Sequence, residues 1–147
     1  MKSGEHDRAL EQASSCKKIV SVMNSDLILH LALMDYNIAL EMHQTQKFQS
    51  VIAWLNESLE LLEQLKSREF QVDLKQHSSI FRLLSNAYLE SNNIESALTC
   101  CGMANETYRC TAGLILQTKL LLLSNREEDA RMSLVEMINF SETNLKT

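Results

Sequence analysis

The residues that most often carry chemistry are scattered along this chain. None of its four histidines, His6, His30, His43 and His77, belongs to an H-E-x-x-H pair or a similar metal-ligand pair. His30 and His43 lie more than three turns apart on one predicted helix, which is too far to share an ion. The sequence also has no G-x-S-x-G motif and no glycine-rich phosphate loop. We therefore predict that the protein is not an enzyme and that it has no metal, cofactor or small-molecule substrate.

The four cysteines do not suggest a metal or redox site. They are Cys16, Cys100, Cys101 and Cys110, and no two of them form a C-x-x-C pair. Adjacent side chains on one helix point about 100° apart, which suits neither a metal site nor a strain-free disulfide. We expect free, reduced and partly buried thiols in an intracellular protein, with Cys101 on a buried helix face.

The charged residues argue against nucleic acids and membranes as direct partners. The net charge is −5, and the longest basic run is Lys17-Lys18, whereas nucleic-acid-binding surfaces carry a basic face. No apolar stretch approaches the roughly 20 residues of a membrane span, and the N-terminus resembles no signal peptide. The carboxylate pairs Glu57 with Glu60 and Glu127 with Glu128 are predicted to be exposed helix faces.

The elements that position these residues should all be helices. The chain has no proline and only three glycines, although strands need turns and turns draw heavily on both residues. Leucine, glutamate, glutamine, alanine, lysine and methionine, which favour helices, are abundant. These observations predict an all-α chain.

A pattern of alternating large and small residues recurs at helical spacing. It begins with Phe48-x-x-Val51-x-x-x-Leu55-x-x-Ser58, returns as Ile94-x-x-Ala97-x-x-x-Cys101-x-x-Ala104, and returns more weakly as Glu127-x-x-Ala130-x-x-x-Leu134-x-x-Met137. This pattern is typical of the second helix of a tetratricopeptide (TPR) repeat. We expect the small residues to let helices approach and the large ones, including Leu134, to fill the gaps between layers.

The chain is thus predicted to be a single, degenerate TPR-like helical-hairpin solenoid of about seven helices. Residues 5–24 form the second helix of an upstream repeat, followed by hairpin 1 (27–66), hairpin 2 (79–108) and hairpin 3 (112–140). The step from Phe48 to Ile94 is longer than the usual TPR repeat of about 34 residues. The excess falls in residues 67–78, as an extended helix or an inserted loop. Because neither end resembles a polar cap, we expect a fragment of a longer solenoid.

The concave face of such an array is formed by the first helix of each hairpin, and it is our candidate binding site. Bound partners should be proteins, in the form of a helix or an extended peptide. A solvated polar groove is the alternative reading of the same residues. The candidate partner-binding residues are Tyr36, Asn37, Leu40, His43, Arg82, Asn86, Leu89 and Lys119.

One stretch also resembles a known family. Asp35-Tyr36-Asn37-Ile38-Ala39, the turn ending in Lys47-Phe48, and Trp54-Leu55 followed by Ser58-Leu59 resemble the meiotic Zip/Spo-type tetratricopeptide-repeat proteins, the testis-expressed crossover protein group. The resemblance covers about 30 residues well. It implies a nuclear scaffold on meiotic chromosomes whose partners are meiotic crossover or synaptonemal-complex proteins.

Two functions therefore follow from the sequence. The first is a non-catalytic protein-protein interaction scaffold, which by resemblance promotes meiotic crossover formation and chromosome synapsis. The alternative is a general TPR adaptor, linked to chaperones or trafficking, that binds a peptide in its concave groove. Some adaptors of this kind clamp a C-terminal carboxylate, and Arg82 and Asn86 stand at two suitable positions, but Leu116 replaces an asparagine that the clamp would need.

Overall fold

The described part of the protein is helical throughout. The computed structural model describes residues 24–145, which form six α-helices and no β-strand. This confirms the predicted all-α class, and the helix predicted within residues 5–24 lies outside the described residues. The helices are α1 (Ser25–Gln44), α2 (Phe48–Ser67), α3 (Leu74–Glu90), α4 (Ile94–Thr107), α5 (Thr111–Leu123) and α6 (Glu127–Leu145).

Consecutive helices pack along each other as three helical hairpins. α1 pairs with α2, α3 with α4, and α5 with α6. The chain divides into two compact units, the first ending at Asp73 and the second beginning at Leu74. The first unit contains the α1–α2 hairpin. The second contains the other two hairpins, which meet through contacts between α4 and α5.

The three hairpin turns share one backbone geometry. Each contains a residue in the left-handed region, with φ of 62° at Gln46, 63° at Asn92 and 61° at Asn125. The following backbone N–H donates to the carbonyl oxygen five residues earlier, at 3.2, 2.9 and 2.9 Å, which closes the preceding helix as a Schellman motif.

The turn residues also give the hairpins a common numbering. The step from Gln46 to Asn92 equals the step from Phe48 to Ile94, and the step from Asn92 to Asn125 equals that from Ile94 to Glu127. We call these the first and the second repeat step. Because the turns and the sequence pattern recur together, the two repeat steps define equivalent positions in the three hairpins.

The core of the first hairpin combines small and large side chains. Ala32 and Ala39 of α1 are fully buried, as are Val51 and Leu55 of α2. The hydroxyl of Ser58 on α2 donates a 2.7 Å hydrogen bond to the carbonyl oxygen of Ala32. A side chain on one helix can reach the backbone of the other only where the two helices approach closely. The small residues therefore determine the separation of α1 and α2.

In the second unit, leucines of α5 fill a recess between α3 and α4. Leu116 and Leu120 pack with Ala97 and Cys101, and all four residues are buried. The half-buried Tyr88, Leu89 and Leu98 pack against them. We call this set the internal layer. It is the contact by which one hairpin stacks on the next, and it buries Cys101 as the sequence predicted.

Helix α3 begins five residues earlier than the sequence predicted. Of the segment 67–78, which the sequence left open, Ser67 ends α2, residues 68–73 form the connection, and residues 74–78 begin α3. His77 and Ser78 are only 1% exposed. The ring of His77 stacks on Phe81 at 5.0 Å between centroids, and the Ser78 hydroxyl donates to the Ala104 carbonyl at 2.9 Å. Packing against α4 therefore extends the helix beyond its apolar stripe.

The third copy of the pattern is only partly buried. Ala130 is 3% exposed, whereas Leu134 is 44% exposed. Within the described residues, Leu134 therefore does not fill a gap between layers. Its equivalent on α4 is Cys101, which is buried by α5. Among the described residues of this unit, no further hairpin covers α6 in the way that α5 covers α4.

Candidate functional site

All the candidate partner-binding residues lie on the first helices of the hairpins, α1, α3 and α5. We call the side of these helices that carries them the first-helix face. The two repeat steps relate most of them as equivalent positions in successive hairpins. The equivalent sets are Tyr36 with Arg82, Leu40 with Asn86 and Lys119, and His43 with Leu89. The candidate residues thus recur at equivalent positions, and each compact unit carries its own set.

On α1, the first-helix face is partly exposed. Asn37 is exposed and Leu40 is 37% exposed, whereas Tyr36 and His43 are half-buried. The His43 ring meets Phe48 edge-on, with 5.3 Å between the ring centroids and 70° between the planes. This contact fixes the imidazole beside the hairpin turn. Asn37 and Leu40 are left as the side chains most open to a partner.

On α3, the predicted residues are more engaged within the protein. Arg82 donates from Nη1 to Sγ of Cys110 at 2.6 Å and from Nη2 to Oγ of Ser79 at 3.0 Å. Leu89 belongs to the internal layer, and Asn86 is half-buried. Arg82, Asn86 and Leu89 follow one another at steps of four and three residues, which places them on one side of the helix.

On α5, Lys119 is exposed. The second repeat step relates Lys119 to Asn86. Lys119 therefore occupies the equivalent position in the next hairpin of the same unit. The structure thus brings three predicted residues together on α3, and Lys119 lies on α5 of the same unit. The four residues of α1 belong to the other unit.

Sequence reasoning missed a buried pair of acids in the first hairpin. Asp35 is 4% exposed and Glu57 is 6% exposed, so the prediction that Glu57 lies on an exposed face is wrong. Burial, and secondarily the charge of Glu57, raises the pKa of Asp35 from its ordinary 3.8 to about 7. Spacing alone could not reveal this pair, because the two acids come from different helices.

A chain of polar contacts joins α4, α5 and α6, and it was also missed. Asn105 donates to Oε1 of Gln117 at 2.8 Å, and Gln117 donates to Oγ of Ser133 at 3.1 Å. Ser133 and Thr118 share a further hydrogen bond of 2.9 Å. Hydrogen bonds between partly buried side chains of neighbouring helices favour one arrangement of those helices. We infer that these hydrogen bonds align α4, α5 and α6 with one another.

Beside these contacts lies a groove of about 700 Å³ in the third hairpin. Gln117 and Ser133 line it, together with Phe140 of α6. An ion pair of 2.8 Å between Arg109 and Glu136 stands at the groove, and both side chains are substantially exposed. The lining mixes apolar side chains, such as Leu121 and Phe140, with polar ones, such as Gln117 and Ser133.

Two of the three cysteines in the described region are buried. Burial raises the pKa of both Cys100 and Cys101 to about 11, which keeps these thiols protonated and poorly nucleophilic at neutral pH. These two and Cys110 are free, whereas Cys16 lies outside the described residues. Between residues 24 and 145 no three or more His, Cys, Asp and Glu side chains come together to hold a metal ion.

No helix in the described range is long and apolar enough to cross a membrane.

Comparisons with known proteins bear on the family of the chain. A search of curated proteins finds no match to the chain. A sequence model of the family described as "Meiosis protein SPO22/ZIP4 like" matches residues 2–147. That match spans nearly the whole chain and agrees with the resemblance carried by residues 35–59. The chain therefore belongs to the SPO22/ZIP4-like family of meiosis proteins.

Proposed function

We propose that the protein is a non-catalytic scaffold that binds segments of other proteins and promotes meiotic crossover formation and chromosome synapsis. Its family supports a meiotic role. The observation that carries the scaffold proposal is the recurrence of the first-helix face, where Leu40, Asn86 and Lys119 stand at equivalent positions. Arrays of helical hairpins bind partners over such recurring surfaces. The partners would be meiotic crossover or synaptonemal-complex proteins, and the site of action would be the nucleus, on meiotic chromosomes.

The chemistry of the face favours a protein segment as the bound partner. In the first unit, Leu40 offers an apolar contact and Asn37 a hydrogen bond. In the second unit, Asn86 offers a hydrogen bond and Lys119 a positive charge. Each set suits a helix or an extended peptide, and the set of the second unit suits one with acidic side chains. The net charge of −5 and the lack of a basic run argue against direct binding of nucleic acid.

The adaptor alternative receives less support. A carboxylate clamp needs an arginine or lysine that is free to turn toward the ligand, but Arg82 is engaged with Cys110 and Ser79. Leu116 stands where the clamp would need an asparagine, and it is 8% exposed. A peptide with a free C-terminal carboxylate and the same peptide with an amidated C-terminus provide the test. Tight binding that requires the free carboxylate would favour the adaptor.

The scaffold proposal is tested by matched charge reversals. Lys119→Glu changes the first-helix face, whereas Lys66→Glu changes an exposed lysine at the end of α2. Both variants alter the net charge equally. We expect Lys119→Glu to reduce co-purification with crossover or synaptonemal-complex proteins from meiotic nuclei at least tenfold, and Lys66→Glu to leave it unchanged. Tyr36→Ala and Arg82→Glu should weaken capture as well.

Circular dichroism of each variant shows whether the helices are intact. Unchanged capture by Lys119→Glu, Tyr36→Ala and Arg82→Glu would move the interface off the first-helix face. Equal losses in Lys119→Glu and Lys66→Glu would mean that total charge, rather than this face, governs capture. A chain that captures no meiotic protein would contradict the scaffold proposal itself.

A further inference from the structure

In the second unit, basic and acidic residues are separated between the first and the second helices. The first helices, α3 and α5, contain Lys75, Arg82 and Lys119 against one acid, Glu90. The second helices, α4 and α6, contain one basic residue, Arg131, against seven acids. Because the chain as a whole has a net charge of −5, the positive charge of the first helices is a local feature.

The basic residues of α3 lie on one side of that helix. Lys75, Ser79, Arg82 and Asn86 follow one another at steps of four, three and four residues, which places them together on the first-helix face. Lys75 is exposed, and Arg82 and Asn86 are half-buried. Glu90 ends α3 about two turns beyond Arg82. The part of the face before Glu90 is therefore basic.

Two contacts join this side of α3 to the start of the next hairpin. The Lys75 ammonium lies 5.6 Å from the centroid of the Tyr108 ring, and Arg82 donates to Cys110 as described above. Neither contact is an ion pair. Among residues 24–145, no acid forms an ion pair with Arg82 or Lys119. Their charges are held in place without being neutralised by a carboxylate of the described chain.

This surface is distinct from the surface on which hairpins stack. The recess of α3 and α4 is already filled by α5, which packs Leu116 and Leu120 into the internal layer. Lys75, Arg82 and Asn86 keep their exposure beside that packed layer. Their exposure is thus a property of two hairpins that are already stacked on each other.

We propose that the basic surface of the second unit, formed by Lys75, Arg82, Asn86 and Lys119, binds an acidic segment of a partner protein. The occupant follows from charge complementarity, because guanidinium and ammonium groups pair with carboxylates and the Asn86 amide can donate a hydrogen bond to them. A partner's side chain can approach a guanidinium that is held in place, whereas a clamped chain terminus needs one that turns. This inference rests on the proposed scaffold function and names the chemistry of the partner.

The first unit does not offer this chemistry on its own first helix. α1 contains three acids, Asp26, Asp35 and Glu41, and no lysine or arginine. An acidic segment would therefore meet like charges and no cation on α1, which disfavours its binding there. We expect the acidic segment to bind the second unit, and the face of the first unit to take a segment with fewer acids.

Nucleic acid is the other class of polyanion that a basic surface could attract. A nucleic-acid-binding surface carries a continuous basic stripe, whereas the run Glu127-Glu128-Asp129 and other acids lie on the second helices of the same unit. A short acidic peptide needs only the local cations. The surface therefore favours a protein segment, and an oligonucleotide serves as an outcome of the test.

The test uses the whole chain and a fluorescent peptide in which glutamates alternate with alanines. Its C-terminus is amidated, which keeps the test separate from that of the carboxylate clamp. The control peptide has glutamine in place of every glutamate. We expect saturable binding of the glutamate peptide by fluorescence anisotropy and none of the glutamine peptide. Binding should weaken at least tenfold in Arg82→Glu and Lys119→Glu, and it should weaken with added salt.

The matched control variant is Arg131→Glu, because Arg131 is exposed on the second helix α6 and its reversal changes the net charge equally. Arg131→Glu should bind the glutamate peptide as the unchanged protein does, and so should Tyr36→Ala of the first unit. Circular dichroism of each variant verifies that the helices are intact. No binding by the unchanged protein, equal binding of the glutamine peptide, or an equal loss in Arg131→Glu would overturn the inference.

Zero-length carbodiimide cross-linking in an extract of meiotic nuclei identifies the occupant. This reagent joins a lysine amine to a carboxylate that contacts it, so mass spectrometry shows which acid lies against Lys75 or Lys119. We expect acids of another protein. Cross-links only to acids of this chain, whether within one copy or between two, would overturn the inference, as would tighter binding of a single-stranded oligonucleotide than of the glutamate peptide.

Failure of this inference can be told apart from failure of the scaffold proposal. A chain that captures meiotic proteins but does not bind the glutamate peptide would contradict the acidic chemistry of the partner and leave the scaffold in place. A chain that binds the glutamate peptide but captures no meiotic protein would contradict the scaffold proposal, and with it a meiotic partner for the basic surface.

Discussion

The hydroxyl of Ser58 on α2 donates a 2.7 Å hydrogen bond to the carbonyl oxygen of Ala32 on α1. The first repeat step relates Ser58 to Ala104 and Ala32 to Ser78. There the serine lies on the first helix, and its hydroxyl donates to the carbonyl oxygen of Ala104 at 2.9 Å. In both hairpins, therefore, the two helices approach closely at the same position. The serine lies on the second helix in one hairpin and on the first helix in the other, and the alanine lies opposite it.

This exchange predicts the outcome of a swap. Ser58→Ala should lower the free energy of unfolding by about 1 kcal/mol, because it removes a buried hydrogen bond. Adding Ala32→Ser in the same chain should restore most of that loss, because the new serine occupies the position that Ser78 holds in the second hairpin. Urea unfolding monitored by circular dichroism measures both changes.

Ser67→Ala is the control for this swap. The Ser67 hydroxyl bonds only to its own helix, at the exposed end of α2, so its loss should change the free energy of unfolding by less than about 0.5 kcal/mol. A double variant no more stable than Ser58→Ala would contradict the equivalence of the two positions.

The repeat and its turns could be predicted from the sequence because both are local. Val51 and Ala97 occupy the same position of the recurring pattern, and both are fully buried. The turns at Gln46 and Asn92 lie at the same distance before that pattern. The hairpins follow from such patterns, since each depends on residues within a few turns of one another.

Contacts made between helices could not be predicted in the same way. The sequence of α2 alone gives no reason to bury Glu57, yet this acid interacts with Asp35 of α1. The pattern around Leu134 matches that around Cys101, but within residues 24–145 it is Cys101 alone of the two that lies against a following helix. The polar contact of Asn105 with Gln117 joins two helices and leaves no periodic signal.

The hairpin turns predict a stabilising substitution. Gln46 has a φ of 62°, a conformation that costs an L-residue about 1 kcal/mol and a glycine almost nothing. Gln46→Gly should therefore raise the free energy of unfolding by about 0.5–1 kcal/mol, measured by thermal unfolding. Asn125→Gly should gain less, because asparagine tolerates this conformation better.

The matched control is Thr45→Gly, one residue earlier. Thr45 has a φ of −92°, where glycine brings no relief and only loosens the unfolded chain. We expect this variant to be less stable than the unchanged protein. A loss of stability in Gln46→Gly would show that the left-handed turn does not limit the stability of the hairpin.

The buried acid pair predicts that stability falls as the pH rises. The pKa of Asp35 is raised from 3.8 to about 7, so the folded state holds this proton more tightly than the unfolded state does. The stabilising effect is complete below the ordinary pKa and is lost as the pH rises through about 7. Asp35→Asn should remove this contribution, which is measured as the difference between the two proteins' unfolding free energies from pH 4 to pH 8.

Two further variants separate the causes of this effect. Glu57→Gln should lower the pKa of Asp35 only in part, because burial contributes more than the charge of Glu57 does. Asp26→Asn alters an exposed acid at the start of α1, and it should leave the decline with pH in place. A decline that persists unchanged in Asp35→Asn would assign it to other groups.

The two helical glycines of the second unit predict opposite effects of the same substitution. A Cβ added at Gly113 would overlap with Oδ1 of Asn105, and that side chain is held by its 2.8 Å hydrogen bond to Gln117. Gly113→Ala should therefore lower the free energy of unfolding by about 1–3 kcal/mol. A Cβ at Gly102 meets nothing within 4 Å, so Gly102→Ala should stabilise α4 by up to about 1 kcal/mol. Urea unfolding compares them, and Asn105→Ala should relieve the loss in Gly113→Ala. If both glycine variants stabilise the protein equally, the close approach of α4 and α5 at Gly113 does not constrain the fold.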